Sequence, residues 1–204
     1  MGQIDSLIRS AVSAFNAGSP DSAQALCKEG LRLAPDDVAL HHLLANILFA
    51  KGDPQGAAAH LTPSLRRQSA NPPARKLAAK IARQLWERGD PETAAALLTL
   101  AIDETSPASF WFDLGLARQD LQDLDGAAAA YRAALERQPT MAEASVNLGV
   151  VLQEGGDLTG AMAAYGRAYR LRPATFGMIA HALTSSPKGR LWLDPEALKR
   201  ALGG

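Results

Sequence analysis

The chain has 204 residues and equal numbers of basic and acidic side chains, 21 of each, for a formal net charge of zero. That balance argues against a nucleic-acid binder, which carries a basic excess over the whole domain. Apolar residues make up 47% but aromatics only 5%, so alanine supplies much of the core and suits helices packed closely together.

Taken in order, the chain divides into similar units. The first begins near Ile4, carries Ala11 and Ala23, and closes at Pro35. The second begins near Val38, carries Ala45 and Ala57, and turns at Gly52-Asp53-Pro54. Asn71-Pro72-Pro73 reads as a short insertion before the third, which begins near Arg75, carries Ala82 and Ala94, and turns at Gly89-Asp90-Pro91. The fourth runs from Ala108 through WFDLG and DGAAAAYRAALERQP to Pro139. The fifth runs from Ala142 through SVNLG and TGAMAAYGRAYRLRP to Pro173. In these last two the pairs Gly115/Gly149, Ala127/Ala161, Tyr131/Tyr165, Ala134/Ala168 and Pro139/Pro173 all lie 34 residues apart. A fixed period of that length marks a stacked helical repeat.

Local signals also favour helices. Ser19-Pro20, Asp53-Pro54, Asp90-Pro91 and Ser106-Pro107 each put a side-chain acceptor before a proline, the pattern of an N-cap followed by the first helical position. The stretches between are about 13 residues, the length of short antiparallel helices joined by tight turns. Small residues at positions 8, 20 and 27 of most units let the helices touch, and Leu114, Leu148, Tyr131 and Tyr165 fill the remaining space. Pro139 and Pro173 end their helices because proline disfavours α geometry in the residue before it. Beyond Pro173, residues 174–183 read as one more helix, TSSPKGR as a loop, and Asp194-Pro195-Glu196 as the cap of a short helix, ALKRAL. Leu191, Trp192 and Leu193 are expected to fold back and cover the exposed end. The alternative is a docking segment for another domain.

The W-x2-L-G start at Trp111, the alanine-aromatic-alanine middle and the closing proline resemble the tetratricopeptide repeat (TPR). The resemblance implies an all-α fold, a right-handed α-solenoid of about five helix-turn-helix repeats with a C-terminal capping helix. The repeats would occupy residues 1–175, with starts near 4, 38, 75, 108 and 142. Residues 176–204 would form the capping helix, a loop and a short terminal helix. It also implies a non-catalytic protein-interaction scaffold, in which positions 2, 5, 6, 9, 12 and 13 of each first helix face a concave groove. Candidate groove residues are then Phe15, His42, Asn46, Phe49, Lys76, Lys80, Arg83, Trp86, Phe112, Asp113 and Asn147. Position 12 reads Phe15, Phe49 and Trp86, then Gln119 and Gln153; position 5 reads Ile8, His42, Ala79, Phe112 and Val146. An aromatic stripe marks an interaction surface, unless the rings fill gaps between neighbouring helices.

Charge is segregated. From Leu65 to Arg88 there are seven basic residues (Arg66, Arg67, Arg75, Lys76, Lys80, Arg83 and Arg88) against Glu87 alone. Lys76, Lys80 and Arg83 fall at i, i+4 and i+7, on one helical face. Asp103, Glu104, Asp113, Asp120, Asp123 and Asp125 follow against Arg118, and Glu143 and Glu154 extend the acidic side. Such a groove suits a protein or peptide partner with acidic and apolar side chains, held in a salt-dependent way; an ordinary solvated face is the plainer reading. Within the family, some groups clamp a C-terminal carboxylate. Lys76 and Lys80 match two of those places, but Ile8, Val12 and Leu43 stand where polar groups belong. Alternative functions are self-assembly into a homo-oligomer, or an accessory module docking a separate enzyme through its C-terminal tail.

Other chemistry finds little support. His41 and His42 are adjacent and point about 100° apart, and His60 and His181 lack a ligand partner at metal-binding spacing, so no metal is expected. Cys27 reads as a buried small hydrophobe; a lone cysteine excludes an internal disulfide and fits a reducing compartment. Gly155-Gly156-Asp157 marks a turn and lacks the lysine of a phosphate loop. No Ser/His/Asp arrangement stands out. No enzyme activity and no cofactor are expected. No signal-peptide pattern and no apolar run of about 20 residues is seen, so the expectation is a cytoplasmic protein without membrane insertion or nucleic-acid binding.

Overall fold

The computed structural model describes residues 2–67, 71–185 and 195–203. The described residues form α-helices, one short 3₁₀ turn at Pro173–Thr175, and no strand. They fall into two compact units, Met1–Asp103 and Glu104–Gly204.

The first unit holds three helical hairpins. These are α1 (Gly2–Asn16) with α2 (Pro20–Leu33), α3 (Val38–Ala50) with α4 (Pro54–Arg67), and α5 (Pro72–Glu87) with α6 (Pro91–Ala101). Each hairpin reverses at a glycine with positive φ: Gly18 at 76°, Gly52 at 81° and Gly89 at 81°. That conformation is cheap only without a Cβ. The next residue caps the second helix. Asp53 Oδ1 accepts from the Gly56 amide at 2.8 Å and Asp90 Oδ1 from the Thr93 amide at 3.1 Å, whereas Ser19 makes no side-chain cap bond. Asp37 and Asn71 cap α3 and α5 in the same way, accepting from Leu40 and Ala74. The residues expected as an insertion are therefore absorbed: Asn71 is the N-cap, and Pro72 and Pro73 extend the first turn of α5. The core is aliphatic and small-residue, with Ala11, Ala45 and Ala82 on the first helices and Cys27, Leu61 and Leu98 on the second helices all buried.

The second unit pairs α7 (Ala108–Asp120) with α8 (Leu124–Arg137), and α9 (Ala142–Gly155) with α10 (Leu158–Leu171). Here the structure departs from the expected cap at Ser106-Pro107: α7 begins at Ala108, Pro107 itself occupies the cap position, and Ser106 is buried. Arg137 ties that entry down, donating from Nε to the Ser106 carbonyl at 3.1 Å. Asp123 and Asp157 cap α8 and α10.

Two further helices follow, α11 (Phe176–Ser185) and α12 (Pro195–Gly203). Phe176 lies 34 residues after Ala142. α11 packs on α9 and α12 on α10, so the pair takes the places of the first and second helices of another repeat. Leu198 and Leu202 are buried, and Arg170 on α10 donates to the Leu202 carbonyl at 3.0 Å. Leu191, Trp192 and Leu193, expected to fold back, lie outside the described residues. No described helix is long and apolar enough to cross a membrane.

Candidate functional site

The duplicated unit first builds a packing device. Gly115 lies against the Tyr131 ring, where an added Cβ would sit 2.5 Å from Cε1; at Gly149 and Tyr165 the distance is 2.4 Å. Neither position has room for a side chain. The Tyr131 hydroxyl donates to Gln119 Oε1 at 2.8 Å, and the Tyr165 hydroxyl to Gln153 Oε1 at 2.9 Å. Burial pushes both phenols well above their ordinary value, so they stay protonated donors. Gln153 is 1% exposed and also donates from Nε2 to the Ala182 carbonyl on α11 at 2.9 Å. One buried amide thus joins α9, α10 and α11. Gln119 and Gln153 stand at repeat positions that the register turns toward the groove, and their side-chain oxygens accept from the tyrosines.

In the first unit Phe15, Phe49 and Trp86 hold the positions that Gln119 and Gln153 hold in the second. All three rings are half-buried. His42 and Asn46 are half-buried too; Asn46 Nδ2 donates to the His42 carbonyl at 3.1 Å, and burial lowers the His42 pKa. On α5, Leu77, Ala78, Ile81, Ala82 and Leu85 face the core, which turns Lys76 and Lys80 outward, both exposed. The Arg83 guanidinium lies 5.8 Å from the Trp86 ring centroid, a cation–π contact. Arg75, on the same helix, is held by Asp103.

A histidine pair was not foreseen. His41 on α3 and His60 on α4 approach through their Nδ1 atoms at 3.1 Å, while His41 Nε2 lies 2.9 Å from the Pro35 carbonyl. A carbonyl only accepts, so His41 carries its hydrogen on Nε2 and its Nδ1 accepts from His60. Burial first, then His41 and Lys28, lower the His60 pKa, against a smaller opposing effect of Asp53. Among the described residues no three His, Cys, Asp or Glu side chains converge as a metal cluster would require.

The second unit places its candidates differently. Phe112 packs against the core, its ring 5.8 Å from that of Tyr131. Asp113 is half-buried and already engaged. Asn147 slightly offsets the burial that raises the Tyr131 pKa and borders an open pocket of about 570 Å³. Val146, Val150 and Glu154 on α9 and Met178, His181, Ala182 and Ser185 on α11 complete most of its wall. The α9 residues are the groove positions implied by the repeat register. The α11 residues fall at i, i+3, i+4 and i+7, one helical stripe.

Comparison with known proteins agrees with this architecture. Two family models of the tetratricopeptide repeat match, one over residues 14–81 and the other over 112–174. No curated protein matches the sequence. A crystal structure of MamA protein is 19% identical with a TM-score of 0.62, covering 86% of this chain and 95% of its own. YrrB, described as a TPR protein with an unusual peptide-binding site, is 20% identical with a TM-score of 0.62, covering 88% of this chain and 89% of its own. MamA from Desulfovibrio magneticus RS-1 is 18% identical with a TM-score of 0.56, covering 85% and 97%.

Proposed function

Since the chain belongs to the tetratricopeptide repeat family, we propose that it is a non-catalytic protein-interaction scaffold. In this reading its first unit grips a peptide or protein segment carrying acidic and apolar side chains. The observation that carries the reading is the state of Lys76 and Lys80. Both are exposed one turn apart on α5, and neither has an ion-pair partner among the described residues. Neighbouring cations are used: Lys51 binds Asp21 at 2.6 Å, Arg67 binds Asp36 at 2.7 Å, and Arg75 binds Asp103. Two like charges at i, i+4 cost a helix about 0.2–0.5 kcal/mol. Phe49 and Trp86, at neighbouring groove positions, offer half-buried rings for apolar side chains. The description of YrrB as peptide-binding lends support to the same kind of ligand.

The test is fluorescence anisotropy with two labelled ten-residue peptides, one alternating glutamate with leucine and one alternating lysine with leucine. The acidic peptide should bind the wild-type chain, less tightly as salt rises. The Lys76→Glu/Lys80→Glu variant should weaken it about tenfold, as expected for two surface charge pairs reversed. Equal binding to the wild type and the variant would remove the basic face from the function.

A further inference from the structure

We propose that His41 on α3 and His60 on α4 form a binding site for a divalent transition metal of the imidazole-binding class, zinc(II) or copper(II). The ion takes the place of the hydrogen that the two Nδ1 atoms share.

The pair departs from the rest of the chain at two places at once. The two positions lie 19 residues apart. The same spacing in the other repeats reads Leu7 and Leu26, Ala78 and Leu97, Trp111 and Ala130, and Ser145 and Ala164. All of these but Ser145 are apolar, so packing of the hairpin does not call for an imidazole at either place. The one repeat that has a histidine at the first position also has one at the second.

The geometry suits two ligands of one ion. The Nδ1 atoms are 3.1 Å apart. With metal–nitrogen bonds of about 2.0–2.1 Å, that separation subtends about 98° at the ion, between the roughly 90° of tetragonal copper and the roughly 109° of tetrahedral zinc. His41 is already set as a ligand. Its Nε2 hydrogen is committed to the Pro35 carbonyl at 2.9 Å, so the Nδ1 lone pair faces His60. A metal-bound histidine characteristically makes such a backbone bond through its other nitrogen.

His60 makes the adjustment, because its ring turns about a soft χ2 torsion. Its Nδ1 releases a hydrogen to water and its Nε2 takes one up, so the ring stays neutral. The two Nδ1 lone pairs become the coordinate bonds, and no electron changes hands. Among the described residues no third His, Cys, Asp or Glu joins the pair. Both rings are half-buried, which leaves the ion a way in and lets water fill its remaining positions. Of the charges that act on His60, Lys28 opposes a cation and Asp53 favours one; Lys28 is exposed on α2. None of this depends on the peptide-binding reading of the first unit.

The experiment titrates the chelator-stripped full chain with zinc chloride at neutral pH, followed by calorimetry and by proton–nitrogen correlation spectra of the imidazoles. One zinc per chain should bind, with the coordination shift on Nδ1 of His41 and His60 and the His60 hydrogen moved to Nε2. Copper(II) should bind more tightly than zinc(II). His60→Gln should weaken binding about a hundredfold, since it removes the chelating second nitrogen, while His181→Gln should change nothing. Lys28→Glu should tighten binding about tenfold, a gain that loss of folding cannot mimic. Unchanged affinity in His60→Gln, coordination shifts on other nitrogens, or no tightening with Lys28→Glu would each overturn the proposal. So would one zinc per two chains with a doubled mass in light scattering, because the metal would then lie between copies.

Discussion

The two units use the same hairpin to solve one packing problem in opposite ways. In the first, the small residue of the leading helix is alanine (Ala11, Ala45, Ala82), and the matching position on the second helix is Cys27, Leu61 or Leu98. The repeat's aromatic ring then comes from the leading helix, as Phe15, Phe49 or Trp86, and stays half-exposed. In the second unit, glycine replaces alanine and a tyrosine from the second helix drives its ring against the bare backbone. Its hydroxyl claims a glutamine at the place where the first unit shows an aromatic. Each repeat thus has one ring for this layer, and the helix that supplies it decides whether the neighbouring face is aromatic or polar.

Changing the ring's neighbours should break this contrast. The largest effect is expected from Gly149→Val, which forces a branched side chain into a gap with no room for Cβ; overpacking of this kind should cost the second unit about 3 kcal/mol. Chemical denaturation read by hydrogen exchange of α9 and α10 amides would measure it. A sharper version installs the first unit's solution, Gly149→Ala with Tyr165→Leu. Each single change should destabilise, while the double variant should recover a part of the loss as a non-additive coupling; strict additivity would show that the glycine and the ring are independent.

A smaller effect should separate the two tyrosines. Tyr165→Phe strands Gln153 Oε1 in a buried site and should cost about 1–3 kcal/mol. Tyr131→Phe should cost less, because Gln119 is half-exposed and water can replace the phenol. Equal losses in thermal unfolding would contradict this account.

The smallest effect lies in the first unit and depends on pH. The folded pKa values of His60 and His42 are lowered, mainly by burial, so the unfolded chain takes up protons near its ordinary value of about 6.5 while the folded chain resists. Stability is then whole above that value and falls as the pH drops toward the folded pKa. Acidification from neutral pH should speed exchange of α3 and α4 amides and spare α9 and α10. Replacing His60 with glutamine should flatten the response.

The all-α hairpin architecture was legible because its signals are local. Gly52-Asp53-Pro54 and Gly89-Asp90-Pro91 each specify a reversal, a cap and a helix start within three residues, and the 34-residue spacing sets the register. Ser106-Pro107 failed because the same dipeptide can end a loop one residue early. The groove positions were carried over from register, and register alone does not say what crosses between helices. Register put Gln119 at a groove position but did not show that Tyr131, twelve residues on, returns its hydroxyl to it. The joint duplication of glycine, glutamine and tyrosine was the signal available for that bond. His41 and His60 meet only because α3 and α4 fold back together, a contact no periodicity announces. One side of the pocket lined by α9 comes from residues 176–185, whose stripe of Met178, His181, Ala182 and Ser185 was visible but hidden under a capping role.

Cys27 gives the first unit an internal clock. Its thiol is fully buried, and desolvation raises its pKa to about 11, so about one molecule in ten thousand would be ionised at neutral pH, and the thiolate is the reactive form. An alkylating reagent must therefore wait for α2 to open, and its rate of consumption counts those openings. As this is the chain's one thiol, a cysteine introduced at an exposed position of α5 or α11 would accept a thiol-selective probe quickly and ahead of it.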